Sequence, residues 1–143
     1  MPLDKAPYGY LTLRYVHDVV TGEFANIGVV LFAPQQGFLK SRFLPAFDRL
    51  DAFFLHTDHA HLLAITDHLK IRFSELSAEL RNADEVLPIT RVKELAERVM
   101  PRDDSSIQWS EMSGGFSNDP GATLHHLFAR LVEHYAKTNE SLA

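Results

Sequence analysis

An uninterrupted apolar run at residues 27–33 limits the possible folds more than any other feature of this sequence. Several of its residues are β-branched, which favours a strand, and consecutive apolar side chains in a strand point to both faces of a sheet. A strand that is apolar on both faces is typical of the centre of a sheet. The run is far shorter than the roughly 20 residues that a membrane-spanning helix needs. We therefore predict a central strand over residues 24–32 and no association with a membrane.

Two further strands are predicted next to this one. Residues 8–16 alternate, with Leu11, Leu13 and Tyr15 on one face of the strand. Residues 38–44 form a third strand that ends before Pro45. Turn-forming residues separate the three segments. The first third of the chain is therefore predicted to be a three-stranded antiparallel meander.

The apolar spacing changes to that of helices in the middle of the chain. From Asp58 to Arg81 apolar residues recur every three or four positions, which predicts an amphipathic helix. Thr90 is the expected N-cap of a shorter helix, which Pro101 stops. The segment 46–55 fits either a short helix or a loop.

The last third adds a strand and a helix. Residues 106–111 predict a fourth strand, and residues 113–117, with their two glycines, predict a flexible loop. Asp119 is expected to cap a final helix that has Pro120 at its first position. Runs of strands followed by runs of helices indicate an α+β fold. We predict a single domain over residues 1–143, with an antiparallel sheet of about four strands and three to four helices packed on one face.

Composition excludes several classes of protein. The 143 residues include no cysteine, which excludes a disulfide scaffold, a thiolate metal site and a cysteine nucleophile. The net charge of −5 makes nucleic acid an unlikely partner, because nucleic-acid binders usually present a basic face. The first residues lack the basic and apolar segments of a signal peptide, so a cytoplasmic location is expected. No cofactor-binding motif is found, and no cofactor is predicted.

The first hairpin carries the most distinctive polar pattern. If the hairpin is regular, Arg14 faces Gly28 and lies diagonal to Asn26, with Glu23 near the turn. A glycine would leave a notch beside the guanidinium, and one hypothesis is that Arg14, Glu23, Asn26 and Gly28 bind a phosphate or a carboxylate. The alternative is structural: Arg14 pairs with Glu23 or Asp18, and Gly28 makes room for an aromatic ring or a bulge.

Seven of the eight histidines lie at 56–61, 68, 125–126 and 134, and this clustering raises the question of a metal site. His61 and His68 lie two helical turns apart, about 10 Å along the axis, which is too far for one ion. A solvated helix flank explains these residues without a metal, and no metal site is predicted. No serine lies in a nucleophile elbow, and no other catalytic motif is found, so the sequence leans against an enzyme.

The hairpin resembles the opening signature of domain-of-unknown-function family 3037, a family of small bacterial proteins. The matching residues are Arg14-Tyr15, Gly22-Glu23-Phe24 and the stretch from Asn26 to Phe32, with looser similarity at Arg42, at Arg49-Leu50 and from Asp119 to Val132. His17 departs from the pattern, since members often carry proline there. The family has no established activity, so the resemblance implies no catalytic residues. Genes of the family often lie beside those of HipA-type kinase-like proteins, which implies such a protein as a candidate partner.

Two hypotheses about function follow. The first is a non-catalytic accessory or protein-binding module, whose interface would use Tyr8, Tyr10 and Arg14, because aromatic and arginine side chains supply most interface anchors. Its partner would be a HipA-type kinase-like protein. The alternative is a small enzyme or ligand-binding protein that holds an anionic molecule in a pocket at Arg14, Glu23 and Asn26. The two differ in whether Arg14 contacts a protein or a small anion.

Overall fold

The sheet contains five antiparallel strands in the computed structural model, which describes residues 5–18, 20–54, 57–100 and 106–133. Strands β1 to β3 form the predicted meander, and two short strands follow later in the chain. Their bounds are β1 Ala6–Asp18, β2 Glu23–Ala33, β3 Phe38–Phe43, β4 Ile107–Trp109 and β5 Ser113–Ser117. The lateral order is β3-β2-β1-β4, and β5 also pairs with β1. The sheet is therefore four strands wide, as the sequence indicated.

Strands β4 and β5 occupy successive stretches of the same edge of β1. Ser110 lies between them and continues the hydrogen bonding to β1. Its backbone nitrogen donates to Thr12 O at 2.9 Å, and its Oγ accepts from Thr12 N at 2.8 Å. The predicted flexible loop at residues 113–117 is wrong, since this segment is β5. Its glycines permit close pairing with β1: a Cβ at Gly114 would lie 2.5 Å from Tyr8 O.

Three α-helices lie in the described part of the chain: α1 His59–Arg81, α2 Val92–Val99 and α3 Pro120–Phe128. The predicted cap of α3 is confirmed, because Asp119 Oδ1 accepts from Ala122 N at 3.1 Å with Pro120 in the first turn. A π-helical turn at Ala129–Glu133 continues α3. The predicted cap of α2 is wrong: Thr90 lies in a 3-10 turn at Ile89–Arg91, and α2 begins without a side-chain cap.

The helices cover both faces of the sheet, which corrects the expectation that they pack on one face. On one face, which we call the α1 face, Trp109 of β4 packs edge-on against Phe73 of α1, 5.8 Å between ring centres. On the other, the α3 face, the Arg42 guanidinium lies 4.7 Å from the ring centre of Phe128. Alternation puts Leu11, Leu13 and Tyr15 on the α1 face and Tyr10, Thr12 and Arg14 on the α3 face.

Burial on both faces explains the apolar run at residues 27–33. Every residue of this run is buried, so β2 is the central strand that the sequence predicted. A strand that is apolar on both sides must be covered on both sides. Helix α3 packs on β2 from the α3 face, and α2, whose Val92 lies close to Gly9 on the α1 face, contacts β2 from the other. The α+β class, the antiparallel sheet and the count of three helices are thereby confirmed. Among the described residues, no helix has the length and apolarity needed to cross a bilayer.

Candidate functional site

The first hairpin is irregular at Ile27, which has no partner residue on β1. Leu13 pairs with Gly28 and Arg14 pairs with Asn26, so β2 carries one residue more than β1 at this point. The predicted register, in which Arg14 faced Gly28, is therefore wrong: the pairing is displaced by one residue at Gly28 and by two at Arg14, and a second irregularity lies between Val16 and Asp18. Ile27 is fully buried, and the residues on either side of it remain paired with β1. As a result Arg14 and Asn26 stand directly opposite each other on the α3 face.

Arg14 and Asn26 form a half-buried polar pair with unused hydrogen-bonding atoms. The Arg14 guanidinium carbon lies 4.3 Å from the ring centre of Phe24, and Asn26 Nδ2 donates to Leu131 O at 3.2 Å. Arg14 Nε and Asn26 Oδ1 are buried without a hydrogen-bond partner among the described residues. Such atoms destabilise a protein unless something satisfies them. Arg14 Nε is thus left without an acceptor, and Asn26 Oδ1 is left without a donor.

Gly28 lies on the other face, where an aromatic ring fills the space beside it. A Cβ at Gly28 would lie 2.2 Å from Cδ1 of Phe43, its partner residue on β3. The glycine thus accommodates a ring, which is the structural interpretation that the sequence left open. It does not share a face with Arg14, and the two are not brought together.

Glu23 also lies on the α1 face, because side chains alternate along β2 between Glu23 and Asn26. Its Oε1 accepts a hydrogen bond from the Thr21 hydroxyl at 3.3 Å. Among the described residues, neither acidic side chain of the hairpin forms an ion pair with Arg14. Of the predicted ligand-binding residues, the structure brings together Arg14 and Asn26 only. Glu23 instead lines a separate cavity of about 200 Å³ with Phe24, Ala25, Phe53 and Phe54.

Tyr8 and Tyr10 lie on the same face and the same strand as Arg14. Their ring centres are 6.2 Å apart, and both side chains are half-buried. The Tyr8 ring lies over Gly115 of β5, where a Cβ would be 2.8 Å from the Tyr8 hydroxyl. Burial, and then the neighbouring Tyr10, raise the pKa of Tyr8 above its usual value. The three predicted interface residues therefore form a row along one face of β1.

His59 and His17 make separate local contacts. His59 lies between Asp48 and Asp51, at 3.3 and 3.0 Å, and His17 stacks on the Phe54 ring with 4.5 Å between centres. His61 and His68 are exposed on α1. Within residues 5–18, 20–54, 57–100 and 106–133, no three histidine or acidic side chains are grouped to hold a metal ion. His56 and His134 lie outside the described residues.

A basic groove that was not predicted from the sequence runs along the outer edge of β3. Two adjoining openings of about 470 and 500 Å³ share Lys40, Ser41 and Lys70 in their walls. Lys40 comes from β3, and its position on the α3 face follows from strand alternation alone. Lys70 comes from α1, and only helix packing brings it beside β3. The position of Lys40 could therefore have been predicted from the sequence, whereas the position of Lys70 could not.

Comparison with known proteins identifies one family. The sequence profile described as "Protein of unknown function (DUF3037)" matches residues 10–132, which include both Arg14 and Asn26. No curated protein and no solved structure matches the chain.

Proposed function

We propose that this chain, which belongs to the DUF3037 family of proteins of unknown function, is a non-catalytic protein-binding domain that uses Tyr8, Tyr10 and Arg14 as its interface. One observation supports the proposal above all others. The three side chains share one face of β1 and are only half-buried, while α3 packs mainly over β2 and β3. The β1 part of this face is thus left accessible to a partner.

The row has the chemistry of an interface anchor. Tyrosine and arginine are the side chains that most often dominate binding energy, because they combine apolar area with hydrogen-bonding groups. Here they are held in place before binding: Tyr8 lies over Gly115, and Arg14 lies against the Phe24 ring. Side chains that are already ordered lose little conformational entropy when a partner binds.

The partner we propose is a HipA-type kinase-like protein, for which this chain would be an accessory or regulatory subunit. The family resemblance is what suggests this class of partner, and it is an association rather than a mechanism. A kinase-like partner that uses ATP would act in the cytoplasm, so the proposal includes a cytoplasmic location.

The decisive experiment measures binding of a HipA-type kinase-like protein from the native host to the purified chain by calorimetry. The wild-type chain is compared with Tyr10→Ala/Arg14→Glu, and Phe116→Ala is the matched control, because Phe116 is 69% exposed on the opposite face. We expect the double variant to lose at least about tenfold in affinity and the control to bind as wild type. The proposal is contradicted if a pulldown from the native host recovers no protein in stoichiometric amount. It is also contradicted if the wild-type chain and both variants bind the kinase-like protein equally well.

A second candidate function is binding of a small anion, and the two unsatisfied atoms of Arg14 and Asn26 favour it. A phosphate or carboxylate could accept from Arg14 Nε while a hydroxyl of the same molecule donates to Asn26 Oδ1. Glu23 takes no part in this version of the site, because it lies on the other face.

Thermal denaturation in inorganic phosphate and in glycerol phosphate tests this candidate. A ligand that binds the folded state raises the melting temperature, and Arg14→Ala should abolish the shift while the chain remains folded. Arg72→Ala, an exposed arginine on α1, should keep the shift. If Arg14→Ala unfolds the domain, the arginine is structural and this candidate fails.

A further inference from the structure

The outer edge of β3 offers unpaired backbone hydrogen-bonding groups. Strand β3 ends the lateral order of the sheet, and among the described residues no strand pairs with its outer side. Leu44 N donates inward to Ile27 O at 2.9 Å. Because alternate residues of a strand point the same way, Lys40 and Arg42 also direct their backbone groups toward β2. The N–H and C=O groups of residues 39, 41 and 43 therefore face outward, where an extended chain can pair with them.

The groove beside this edge is positively charged although the chain as a whole is negative. Lys40 and Arg42 line it from β3, and Lys70 and Arg81 line it from α1. These are four of the 14 Lys and Arg residues, whereas among the acidic residues that the structure describes Glu133 alone lines either opening. In the described part of the chain, no ion pair neutralises Lys40, Lys70 or Arg81. The groove is thus a local reversal of the net charge of −5.

An apolar pocket continues the groove at the Arg81 end. It has a volume of about 190 Å³ and shares Gly37, Phe38, Leu39, Ser77 and Arg81 with the neighbouring opening. Its walls include the apolar side chains of Phe32, Leu80 and Leu87, and one acidic residue, Glu85, also lines it. This space suits one aliphatic side chain and would fix the position of a bound segment along the edge.

We propose that this groove binds an extended acidic segment of a partner protein, which pairs with β3 as an added strand and places one aliphatic side chain in the apolar pocket. The edge supplies main-chain hydrogen bonds, and cations on both sides of it, from β3 and from α1, attract carboxylates on either face of the added strand. The groove lies on the opposite edge of the sheet from β5 and includes none of Tyr8, Tyr10 and Arg14. Each surface can therefore be tested, and can fail, without the other.

Charge and backbone hydrogen bonding distinguish an acidic peptide from two other possible occupants, a second copy of the chain and a nucleic acid. A second copy of the chain pairing through β3 would bring Lys40 and Arg42 of both copies together, and like charges across a strand pair are destabilising. A nucleic acid would match the cations but would leave the outward backbone groups of β3 unused. An acidic peptide uses both features.

The test measures binding of a fluorescein-labelled peptide, Leu-Glu-Glu-Val-Glu-Glu, to the full chain by fluorescence anisotropy. Three matched peptides separate the contributions: one with lysine for glutamate, one with serine for leucine, and one with alternate backbone nitrogens methylated to block strand pairing. We expect the acidic peptide to bind, the lysine peptide not to bind, and the other two to bind several-fold more weakly.

Variants of the protein locate the site. Lys40→Glu/Lys70→Glu should weaken binding of the acidic peptide about tenfold or more, since each change replaces an attraction with a repulsion. The control Lys5→Glu makes the same kind of charge change at an exposed lysine outside the groove and should have little effect. Equal weakening by Lys5→Glu, undiminished binding of the methylated peptide, tighter binding of a single-stranded oligonucleotide, or a dimer that Lys40→Glu dissociates would each overturn the proposal.

Discussion

The ring of Phe43 occupies the space that a side chain at residue 28 would need. A Cβ at Gly28 would lie 2.2 Å from Cδ1 and 2.8 Å from Cε1 of that ring. Gly28 is the residue of β2 that pairs with Phe43 of β3. The glycine in the apolar run is therefore explained by cross-strand packing between β2 and β3.

This packing predicts that Gly28→Ala destabilises the protein. The Phe43 ring must move or the strands must separate, and overpacking of this kind typically costs about 1–3 kcal/mol. Urea denaturation of the single variant and of Gly28→Ala/Phe43→Ala measures the coupling between the two positions. In the double variant, Gly28→Ala should cost much less than it does alone. If its cost is the same in both backgrounds, Phe43 is not the cause.

Ser110 should be required for the junction between β4 and β5. Its Oγ accepts from Thr12 N at 2.8 Å, and both residues are buried. Ser110→Ala leaves that N–H buried without a partner, which costs about 1–3 kcal/mol. Denaturation curves give the loss, and hydrogen exchange at Thr12 N should become faster. Ser113→Ala, at an exposed serine of β5, serves as the control and should leave both measurements unchanged.

The cap of α3 predicts a graded effect at Asp119. Its Oδ1 accepts from Ala122 N at 3.1 Å. Asp119→Ala removes this acceptor and should lower the free energy of unfolding by about 1 kcal/mol, whereas Asp119→Asn retains an acceptor and should change it by only a few tenths. Equal losses from the two substitutions would mean that the carboxylate acts by its charge rather than as a cap.

Tyr8 should make the protein less stable in alkaline solution. Burial, followed by the effect of Tyr10, raises its pKa above the usual 10.0, so the folded state holds the phenolic proton more tightly than the unfolded chain does. The contribution to stability is complete below about pH 10 and is lost as the pH rises through the pKa of the folded state.

Tyr8→Phe removes this titration and should reduce the loss of stability between about pH 9 and about pH 11. Chemical denaturation at several pH values measures it. Tyr10→Phe is the comparison, and it should reduce the loss less, since Tyr10 is the smaller cause of the shift. A steeper alkaline loss in Tyr8→Phe than in wild type would contradict the assignment.

The candidate sites were only partly predictable from sequence. Alternation along β1 is sufficient to put Tyr8, Tyr10 and Arg14 in one row, because a strand has a fixed period of two. The same rule could not place Gly28 relative to Arg14, because the hairpin pairs one residue out of the predicted register and puts Gly28 opposite Leu13, on the other face of the sheet. Glu23 and Arg14 lie on opposite faces for a related reason. Closeness to the turn in the sequence does not show which face of the sheet a residue occupies.

The sequence by itself determined the local elements of this protein: the central strand at residues 27–33, the α1 helix and the Asp119 cap of α3. Each depends on residues close together in the chain, so periodicity and capping chemistry are sufficient to predict it. Tertiary structure alone decided the bulge at Ile27, the pairing of Ser113–Ser117 with β1, the cover of both sheet faces and the basic groove at β3. These features depend on contacts between distant segments, and their energies come from burial and strand pairing that no local pattern contains.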